Sequence, residues 1–292
     1  MRNYVVQLLG VCMMLFSAVA SASAEEASAY EGVLGGVNIR VMALVEKDLK
    51  ADILLPRSGE QKAAVAEAYP EGTVRNFLNV LLLRGRGVTA LVDTGFEWTG
   101  KELDAALAQA GITRSDVTHV IVTHAHGDHI GGLVRDGAAA FPAADILFSA
   151  KELGHWTCAD RRAFSGKASG IFDAVADIVR FYGERVRTFE PGADLFRELP
   201  GVQAVDESGH TPGHVGVMVR AEDGVFLFWS DVLHAFEVQT AHPSVSATFD
   251  MDAEEAARVR EELLSRARAG GWLVVGSHVP FVQPRVLRTE GL

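Results

Sequence analysis

The stretch Thr123-His124-Ala125-His126-Gly127-Asp128-His129 packs three imidazoles and one carboxylate into six residues. Imidazole nitrogens and carboxylate oxygens are the ligands that Zn²⁺ and similar divalent cations bind, at about 2.0 to 2.2 Å. His124 and His126 are separated by one residue and can face the same way, whereas Asp128 and its neighbour His129 must point elsewhere. The motif therefore predicts a metal site, and two metals fit it better than one. A polar loop that is merely rich in histidine is the alternative interpretation.

Other histidines and aspartates stand just past short apolar runs that predict buried strands. The runs are too short for helices and cover residues 88–92, 120–122, 225–229 and 272–275. The polar groups that follow them are Asp93, His124, Asp231 and His278. Because ligands bind outside the carboxyl ends of strands in open α/β sheets, we expect these groups to converge on one edge. His214 precedes its run, so it reaches the same edge only if residues 215–219 run antiparallel to the others.

The rest of the chain alternates strand and helix patterns. Apolar residues recur at period two over residues 37–45, and two apolar runs flank the turn at 84–87, which predicts a strand and a hairpin. Helices are predicted from Ser58 to Pro70, from Thr99 to Gly111, over 171–181 and from Asp252 to Gly270, with N-terminal capping pairs Ser58/Gln61, Thr99/Glu102 and Asp252/Glu255. Hairpins together with crossovers indicate a layered α/β fold, with one mixed sheet or two sheets packed face to face between helices.

The chain opens with the pattern of a secretory signal peptide at residues 1–24. Arg2 precedes an apolar run over 5–19, and Ala22-Ser23-Ala24 forms a small-residue cleavage site. The run falls short of the roughly 20 apolar residues that span a bilayer, so we expect no stable membrane anchor. The mature chain, residues 25–292, is expected to be one large α/β domain, periplasmic or secreted after cleavage near Ala24.

Charge and cysteine content exclude several classes of protein. The formal net charge is −11, and it becomes −12 when Arg2 leaves with the signal peptide. An acidic surface repels phosphate backbones, so nucleic acid is not an expected partner. Of the two cysteines, Cys12 leaves with the signal peptide and Cys158 is left without a partner, so no disulfide is expected. Whether the chain forms a homodimer is left open.

Three further motifs complete a recognisable set. Together with Gly209-His210-Thr211-Pro212-Gly213-His214, Trp229-Ser230-Asp231 and Gly276-Ser277-His278, the first motif resembles the metallo-β-lactamase superfamily along nearly the whole mature chain. The resemblance implies an αββα sandwich of two mixed β-sheets flanked by helices, with a dinuclear metal centre. It implies that one metal is bound by His124, His126 and His214, the other by Asp128, His129 and His278, and both by a bridging Asp231. Asp93 and His210 would lie behind these ligands and orient them.

A narrower resemblance concerns the type of substrate. Residues 79–95, 231–234, 242–245, 250–252 and 270–278 look like the secreted methyl parathion hydrolase and lactonase branch, whose members hydrolyse lactones, aryl esters or phosphotriesters. By this resemblance Phe96, Trp156 and Phe172 would line an apolar pocket, with His234 close to the bridging carboxylate. Packing of the three aromatic side chains in the core is the alternative. Acyl-lactonase relatives place a tyrosine beside the substrate, and none of the four tyrosines here is near a ligand in sequence.

The expected activity is hydrolysis of a small-molecule lactone, ester or phosphotriester. Two divalent metals, zinc first but also manganese, cobalt or iron, would hold a bridging hydroxide as nucleophile. Asp128 or Asp231 would pass the proton to the leaving oxygen. The alternatives are a periplasmic metallo-β-lactamase, against which the bridging Asp231 counts, a glyoxalase-type thioesterase, and a binding module whose metals are only structural.

Overall fold

The computed structural model describes residues 29–163, 168–280 and 285–286. The strands are β1 (Ala29–Leu34), β2 (Val37–Lys50), β3 (Leu54–Leu55), β4 (Thr73–Gly85), β5 (Val88–Val92), β6 (His119–Val122), β7 (Val134–Arg135), β8 (Ala138–Ala139), β9 (Asp145–Ser149), β10 (Val186–Phe189), β11 (Val202–Asp206), β12 (Val215–Ala221), β13 (Gly224–Phe228), β14 (Ser246–Ala247), β15 (Leu273–Val275) and β16 (Arg285–Val286). The helices are α1 (Gly59–Ala68), α2 (Gly100–Gln109), α3 (Gly127–Ile130), α4 (Ala150–Trp156), α5 (Ala159–Ala163), α6 (Ser169–Tyr182), α7 (Phe236–Ala241) and α8 (Ala253–Gly270). Short 3-10 turns cover Ala51–Ile53, Glu97–Thr99, Arg114–Asp116, Gly183–Arg185 and Ser230–Val232.

Within the described chain, seven strands form the first sheet, in the order β1-β2-β4-β5-β6-β9-β10. Neighbours from β1 to β5 are antiparallel, whereas β5, β6, β9 and β10 run parallel. Parallel neighbours need crossover connections, and α2 supplies the one from β5 to β6. The carboxyl ends of β5 and β6 therefore lie side by side, and Asp93 and Thr123 directly follow them.

Five strands of the described chain form the second sheet, in the order β11-β12-β13-β15-β16. β13 and β15 run parallel, and β12 is antiparallel to both of its neighbours. The antiparallel direction predicted for residues 215–219 is thus confirmed, and the start of β12 lies where β13 and β15 end. Val215 N donates to Thr123 O at 3.0 Å, and Asn79 N donates to Ser277 O at 2.9 Å. These bonds join the two sheets at the edge that carries the motifs.

Three apolar layers account for the packing of sheets and helices. The outer face of the first sheet packs on α2 and α6, through side chains such as Leu103 and Val175. The inner faces of the two sheets pack on each other, and the outer face of the second sheet packs on α8 through Leu263 and its neighbours. Burial of apolar area on both faces of both sheets is the main stabilising term of such a fold. The αββα sandwich predicted from the sequence is confirmed.

The predicted helices form, with one correction at a helix start. Ser58 Oγ and Asp252 Oδ1 accept from the backbone N–H three residues on, at 3.1 Å and 3.0 Å, as N-caps should. The capping pair predicted at Thr99 is wrong. The 3-10 turn Glu97–Thr99 leads directly into α2, and Thr99 Oγ1 donates to Phe96 O in that turn at 2.9 Å. The hydroxyl therefore does not cap the first turn of α2.

Two expectations concern the membrane and the N-terminus. In the part of the chain that the structure describes, no helix combines the length and apolar character that crossing a bilayer requires. The signal peptide predicted at residues 1–24 lies outside the described residues, so cleavage near Ala24 and export stay predictions.

Candidate metal centre

The polar groups predicted to converge do so at the joined edge of the two sheets. The ligand-type atoms of His124, His126, His210 and Asp231 lie within 4.8 Å of one another, and we call these residues the first group. Asp128, His129 and His278 meet the same criterion and form the second group. Asp231 follows β13, while the 123–129 motif follows β6, so ligands from both sheets face one small volume.

Asp93 anchors the motif from behind. It is 1% exposed and has a left-handed backbone, with φ of +62°, which is uncommon for a residue with a Cβ and typical of strained functional positions. Its Oδ1 accepts from Thr123 N at 2.9 Å, and its Oδ2 accepts from Thr123 Oγ1 at 2.8 Å and from His129 Nδ1 at 2.7 Å. Burial raises the pKa of Asp93 above its usual value, even though His129 and Thr123 lower it again. Asp93 therefore contacts His129 directly, as expected of a residue that orients a ligand.

The first group brings imidazole nitrogens unusually close together. His126 Nδ1 lies 3.0 Å from both His124 Nε2 and His210 Nε2, and His210 Nε2 lies 3.4 Å from Asp231 Oδ2. Burial, followed by the neighbouring histidine His210, lowers the pKa of His126 to about 3, and burial lowers the pKa of His124 well below its usual value. These rings are therefore neutral at pH 7. Neutral imidazoles whose lone pairs face one another are suited to hold a cation between them.

The second group places carboxylates against imidazoles. His278 Nε2 lies 3.0 Å from Asp231 Oδ2 and 3.4 Å from Asp128 Oδ2, and His129 Nε2 lies 3.3 Å from Asp231 Oδ1. Burial alone would lower the pKa of His278, but Asp231 and Asp128 outweigh it and raise that pKa to about 10. The pKa of His129 is raised well above its usual value in the same way, with Asp93 as a further contributor. Each ring holds a proton that a bound cation would displace.

The outer nitrogens of these rings are fixed by hydrogen bonds, which leaves the inner nitrogens facing the cluster. His278 Nδ1 bonds to Phe77 O at 2.9 Å, and His129 Nδ1 bonds to Asp93 as described. The inner atom, His129 Nε2, is buried without a hydrogen-bond partner among the described residues. Metal-binding histidines show this arrangement, with one nitrogen held by a carboxylate or carbonyl and the other on the metal. The donor set and its orientation therefore fit two divalent cations.

His214 lies beside the first group without belonging to it. Its Nδ1 bonds to Glu207 O at 3.0 Å, its Nε2 lies 3.4 Å from Asp231 N, and its ring centroid is 5.0 Å from that of His124. Burial and then His210 lower the pKa of His214 to about 3, so the ring is neutral. The structure thus places His214 with its Nε2 toward the cluster, and places His210 among the closest nitrogens.

His210 is supported by a buried pair of charged residues, Asp250 and Arg260, which no sequence pattern predicts. His210 Nδ1 bonds to Asp250 Oδ1 at 3.0 Å, and Arg260, which is 1% exposed, reaches Asp250 Oδ2 at 3.3 Å. Arg260 also donates to Val232 O at 2.7 Å. Although burial alone would raise it, the pKa of Asp250 is lowered by His210 and Arg260. The three side chains connect the metal centre to α8.

His234 borders the cluster on another side. Its ring stacks on His278 with centroids 4.9 Å apart, and its Nε2 lies 3.5 Å from Asp231 Oδ2. His234 Nδ1 is buried and has no hydrogen-bond partner in the described chain. The ring of Phe249, a side chain that is 43% exposed, lies 5.4 Å away. The ligand-type atom of His234 lies within 4.8 Å of those of Asp231 and His278, so His234 stands between the Asp231 carboxylate and an apolar surface residue.

The three aromatic residues predicted for the pocket occupy different environments. Trp156 and Phe172 are 2% and 3% exposed, pack edge to face with centroids 5.0 Å apart, and belong to the core between the first sheet and its helices. Phe96 is half-buried and stacks on Trp98, which is 62% exposed. Only Phe96 among the three contacts an exposed aromatic side chain, and their role toward a substrate stays a prediction.

An αββα sandwich with histidine and aspartate side chains clustered at its strand ends is the architecture of a class of metal-dependent hydrolases. The family model described as the metallo-beta-lactamase superfamily matches residues 74–278, which span all of the residues described above as ligands. This chain belongs to the metallo-beta-lactamase superfamily.

Curated relatives cover different amounts of the chain. N-acyl homoserine lactonase AttM of Azorhizobium caulinodans is 25% identical over 223 residues, which are 71% of this chain and 80% of that protein. Metallo-beta-lactamase domain-containing protein 1 is 42% identical over 71 residues in Xenopus laevis and 48% identical over 59 residues in Homo sapiens. These stretches cover 24% and 20% of this chain, and only 28% and 20% of the two relatives' own length.

Solved structures share the fold over most of the chain. A hydrolase of the β-lactamase superfamily, AbOPH, has a TM-score of 0.76 at 22% identity and covers 88% of this chain and 92% of its own. AidC, a dizinc quorum-quenching lactonase in complex with a product, has a TM-score of 0.77 at 20% identity, with 87% and 92% covered. At these identities the likeness shows the common architecture.

Proposed function

We propose that this protein is a dinuclear metal-dependent hydrolase that opens lactone and related ester bonds. One observation carries the proposal: two groups of imidazole and carboxylate ligands meet on either side of Asp231, whose two oxygens face both. The similarity to the lactonase AttM over most of both chains supports a lactone as substrate, as does the fold shared with AidC. The likeness to the methyl parathion hydrolase branch adds phosphotriesters as weaker substrates.

The residues that would hold the metals are assigned from the superfamily resemblance, which selects His214 where the cluster itself brings His210 closest. We assign His124, His126 and His214 to one metal, Asp128, His129 and His278 to the other, and Asp231 to both. When bound, the metals, which we propose to be zinc, would supply a hydroxide nucleophile at neutral pH and polarise the substrate carbonyl. These ligands also suit manganese, cobalt or iron.

The carboxylates that face the cluster are also proposed to transfer a proton. Opening a lactone requires that a proton reach the leaving oxygen, and Asp128 and Asp231 are the two acids that face the cluster. The side chain of Asp231 is 2% exposed and is surrounded by histidines, whereas that of Asp128 is 19% exposed. The greater exposure favours Asp128 for exchanging the proton with the leaving group and solvent. Asp93 and Asp250 would keep His129 and His210 in orientation.

The cell compartment belongs to the proposal as well. The sequence pattern at residues 1–24 supports export, which would place the mature enzyme in the periplasm or outside the cell. A small neutral lactone can diffuse to such an enzyme. A cytosolic thioester, the substrate of a glyoxalase-type thioesterase, is less accessible there.

The test compares substrates and metal content in one preparation. Purified protein is stripped with chelator, reloaded with Zn²⁺, Mn²⁺ or Co²⁺, and assayed on an N-acyl homoserine lactone, dihydrocoumarin, phenyl acetate, a dimethyl aryl phosphotriester, a thioester and nitrocefin. We expect two metals per chain, a loss of activity on stripping, recovery on reloading, and the highest kcat/KM on a lactone.

Two variants accompany the assay. His126→Ala should lose metal and turnover together, because it removes a ligand of the first group. His242→Ala, a half-buried histidine outside both groups, is the matched control and should retain both. Full turnover by the stripped protein, or a higher kcat/KM on nitrocefin than on every lactone, contradicts the proposal.

A further inference from the structure

Glu152 is a fully buried carboxylate that takes no part in the proposed metal binding or proton transfer. It lies in α4, is 0% exposed, and accepts four hydrogen bonds. Its Oε1 accepts from Ala125 N at 2.9 Å and from Trp156 Nε1 at 2.7 Å. Its Oε2 accepts from Thr211 Oγ1 at 2.9 Å and from Gly213 N at 2.8 Å. Each of the two carboxylate oxygens therefore accepts two hydrogen bonds, although the group is buried.

Three of these partners belong to the loops that carry ligands of one metal. Ala125 stands between His124 and His126, and Gly213 immediately precedes His214. One carboxylate thus ties the backbone of both loops to the same helix. Residues 124–126 and 211–214 are far apart in sequence, and the bond from Val215 N to Thr123 O joins the chain just outside both loops. Glu152 adds a hydrogen-bonded contact that the two loops themselves share.

The four partners match an ionised carboxylate best. Two backbone N–H groups and the indole N–H can only donate, so an ionised Glu152 accepts from all four partners, whereas a protonated Glu152 could donate to Thr211 Oγ1 alone. Burial raises the pKa of Glu152 above its usual value, and the four donors lower it again. Hydrogen bonds to a charged acceptor are about twice as strong as neutral ones.

The loop before His214 fits closely onto the start of α4. Ser149 Oγ donates to Gly213 O at 2.7 Å and accepts from Glu152 N at 3.1 Å. A Cβ on Gly213 would lie 2.2 Å from Glu152 N, so only glycine can approach this helix start so closely. The close contact between this loop and α4 therefore depends on the carboxylate of Glu152 and on the missing side chain of Gly213.

We propose that Glu152 is a positioning residue for one metal of the pair, the one assigned to His124, His126 and His214. This inference rests on the proposed dinuclear function. The ligands of the other metal are supported elsewhere, since His129 bonds to Asp93 and His278 bonds to Phe77 O. Glu152 also accepts from Trp156, so the buried aromatic pair Trp156 and Phe172 is attached to the same metal loops.

The test is a metal titration of Glu152→Gln. Glutamine keeps the shape, but in either orientation its NH₂ faces a backbone N–H, that of Ala125 or that of Gly213, and loses that bond. Replacing a group that orients metal ligands costs about 10–100-fold in metal affinity. We expect the affinity for one of the two metals to fall by that factor, while the other metal binds as in the parent chain.

The affinities are measured by competition for Zn²⁺ with a chromophoric chelator. The visible absorption of the Co²⁺-loaded variant is recorded as well, and the spectrum of the first Co²⁺ ion to bind should be the same as in the parent chain. Glu254→Gln, an exposed glutamate on α8, is the control for the substitution itself and should bind both metals normally. Circular dichroism and thermal unfolding of the metal-free variant measure any structural damage. A lower Tm with unchanged affinity for both metals would show a purely structural role and overturn the inference.

A second variant covers the case in which Glu152→Gln does not fold. Thr211→Val removes one donor to Oε2 and keeps the side-chain shape, so we expect a smaller loss of affinity at the same single metal. Parent affinity for both metals in Thr211→Val, or an equal loss at both, would overturn the inference. If the parent chain itself binds no metal pair, the proposed function fails and the inference fails with it, whereas normal parent binding with unaffected variants refutes Glu152 alone.

Discussion

The two ligand groups of the candidate metal centre are supported by different parts of the molecule. The second group is held from the first sheet, where Asp93 follows β5 and bonds to His129, and where Phe77 in β4 accepts from His278. The loops of the first group are held from helices, through Glu152 on α4 and through the pair formed by Asp250 and Arg260 of α8.

This difference explains why the supports of one group are apparent in the sequence and those of the other group are not. A strand end fixes the position of the next residue, so Asp93 and His278 can be expected at the edge of a sheet. A carboxylate on a helix reaches a ligand loop only if the helix packs in one orientation. That orientation depends on tertiary contacts, and the two halves should therefore respond differently to substitution.

The largest effect is expected where the two groups meet. Asp231→Ala removes the carboxylate that faces both groups and that lies within 3.7 Å of five histidine rings. We expect both metals and all hydrolysis to be lost, as measured by metal analysis and a lactone assay. Asp223→Ala, in the exposed turn before β13, is the control. Two bound metals in Asp231→Ala would refute the bridging assignment.

Asp93→Asn should affect the second group most, because His129 is the ligand that Asp93 contacts directly. Asparagine tolerates the left-handed backbone at this position, so the change mainly weakens the bonds to Thr123 and His129. We expect about a 10–100-fold lower affinity for one metal, the opposite one to that lost in Glu152→Gln. The double variant should then lose affinity for both. The same metal weakening in both single variants would contradict the division of the centre.

The pH dependence of metal binding should also separate the groups. The pKa of His278 is raised to about 10 and that of His129 is raised well above its usual value, so a metal must displace their protons at pH 7. The pKa values of His126 and of the neighbouring His214 are lowered to about 3, so those rings are already neutral and have a free lone pair for a metal. Between pH 6 and 9 we expect affinity at the second group to rise about tenfold per pH unit for each proton released.

Affinity at the first group should stay nearly constant over the same range. The measurement is chelator competition at several pH values in buffers that do not bind metal. Equal slopes for the two metals would contradict the protonation states derived from the structure.

The smallest effect is expected at the surface beside His234. Phe249→Ala removes an exposed ring close to His234 without touching a ligand, so we expect a few-fold higher KM for an acyl-substituted lactone at unchanged kcat. Val33→Ala, an exposed apolar residue on the edge strand β1, is the matched control. A lower kcat with unchanged KM would place Phe249 in the chemistry and not in substrate binding.

Much of the fold could be predicted, because strands and helices leave local patterns. The runs at residues 120–122 and 272–275 become β6 and β15, and the direction of β12 follows from the need to bring His214 to the ligand edge. The Thr99 cap fails because its hydroxyl is used by the preceding turn, a choice that depends on the backbone before the helix.

The supports of the centre were harder to predict. Ser149 and Glu152 have the spacing of a capping box, in which the glutamate would return to the start of its own helix. The serine does cap the helix, but the carboxylate turns inward and accepts from the buried N–H groups of Ala125 and Gly213. Arg260 likewise lies in a helix pattern where arginine is usually exposed, and only the fold shows that it is buried against Asp250.

The most direct test of the central claim is anomalous X-ray diffraction at the zinc absorption edge from crystals of the zinc-loaded protein. The account predicts two peaks, one among His124, His126 and His214, the other among Asp128, His129 and His278, with Asp231 reaching both. A single peak, or a peak coordinated by neither set of three, would contradict it.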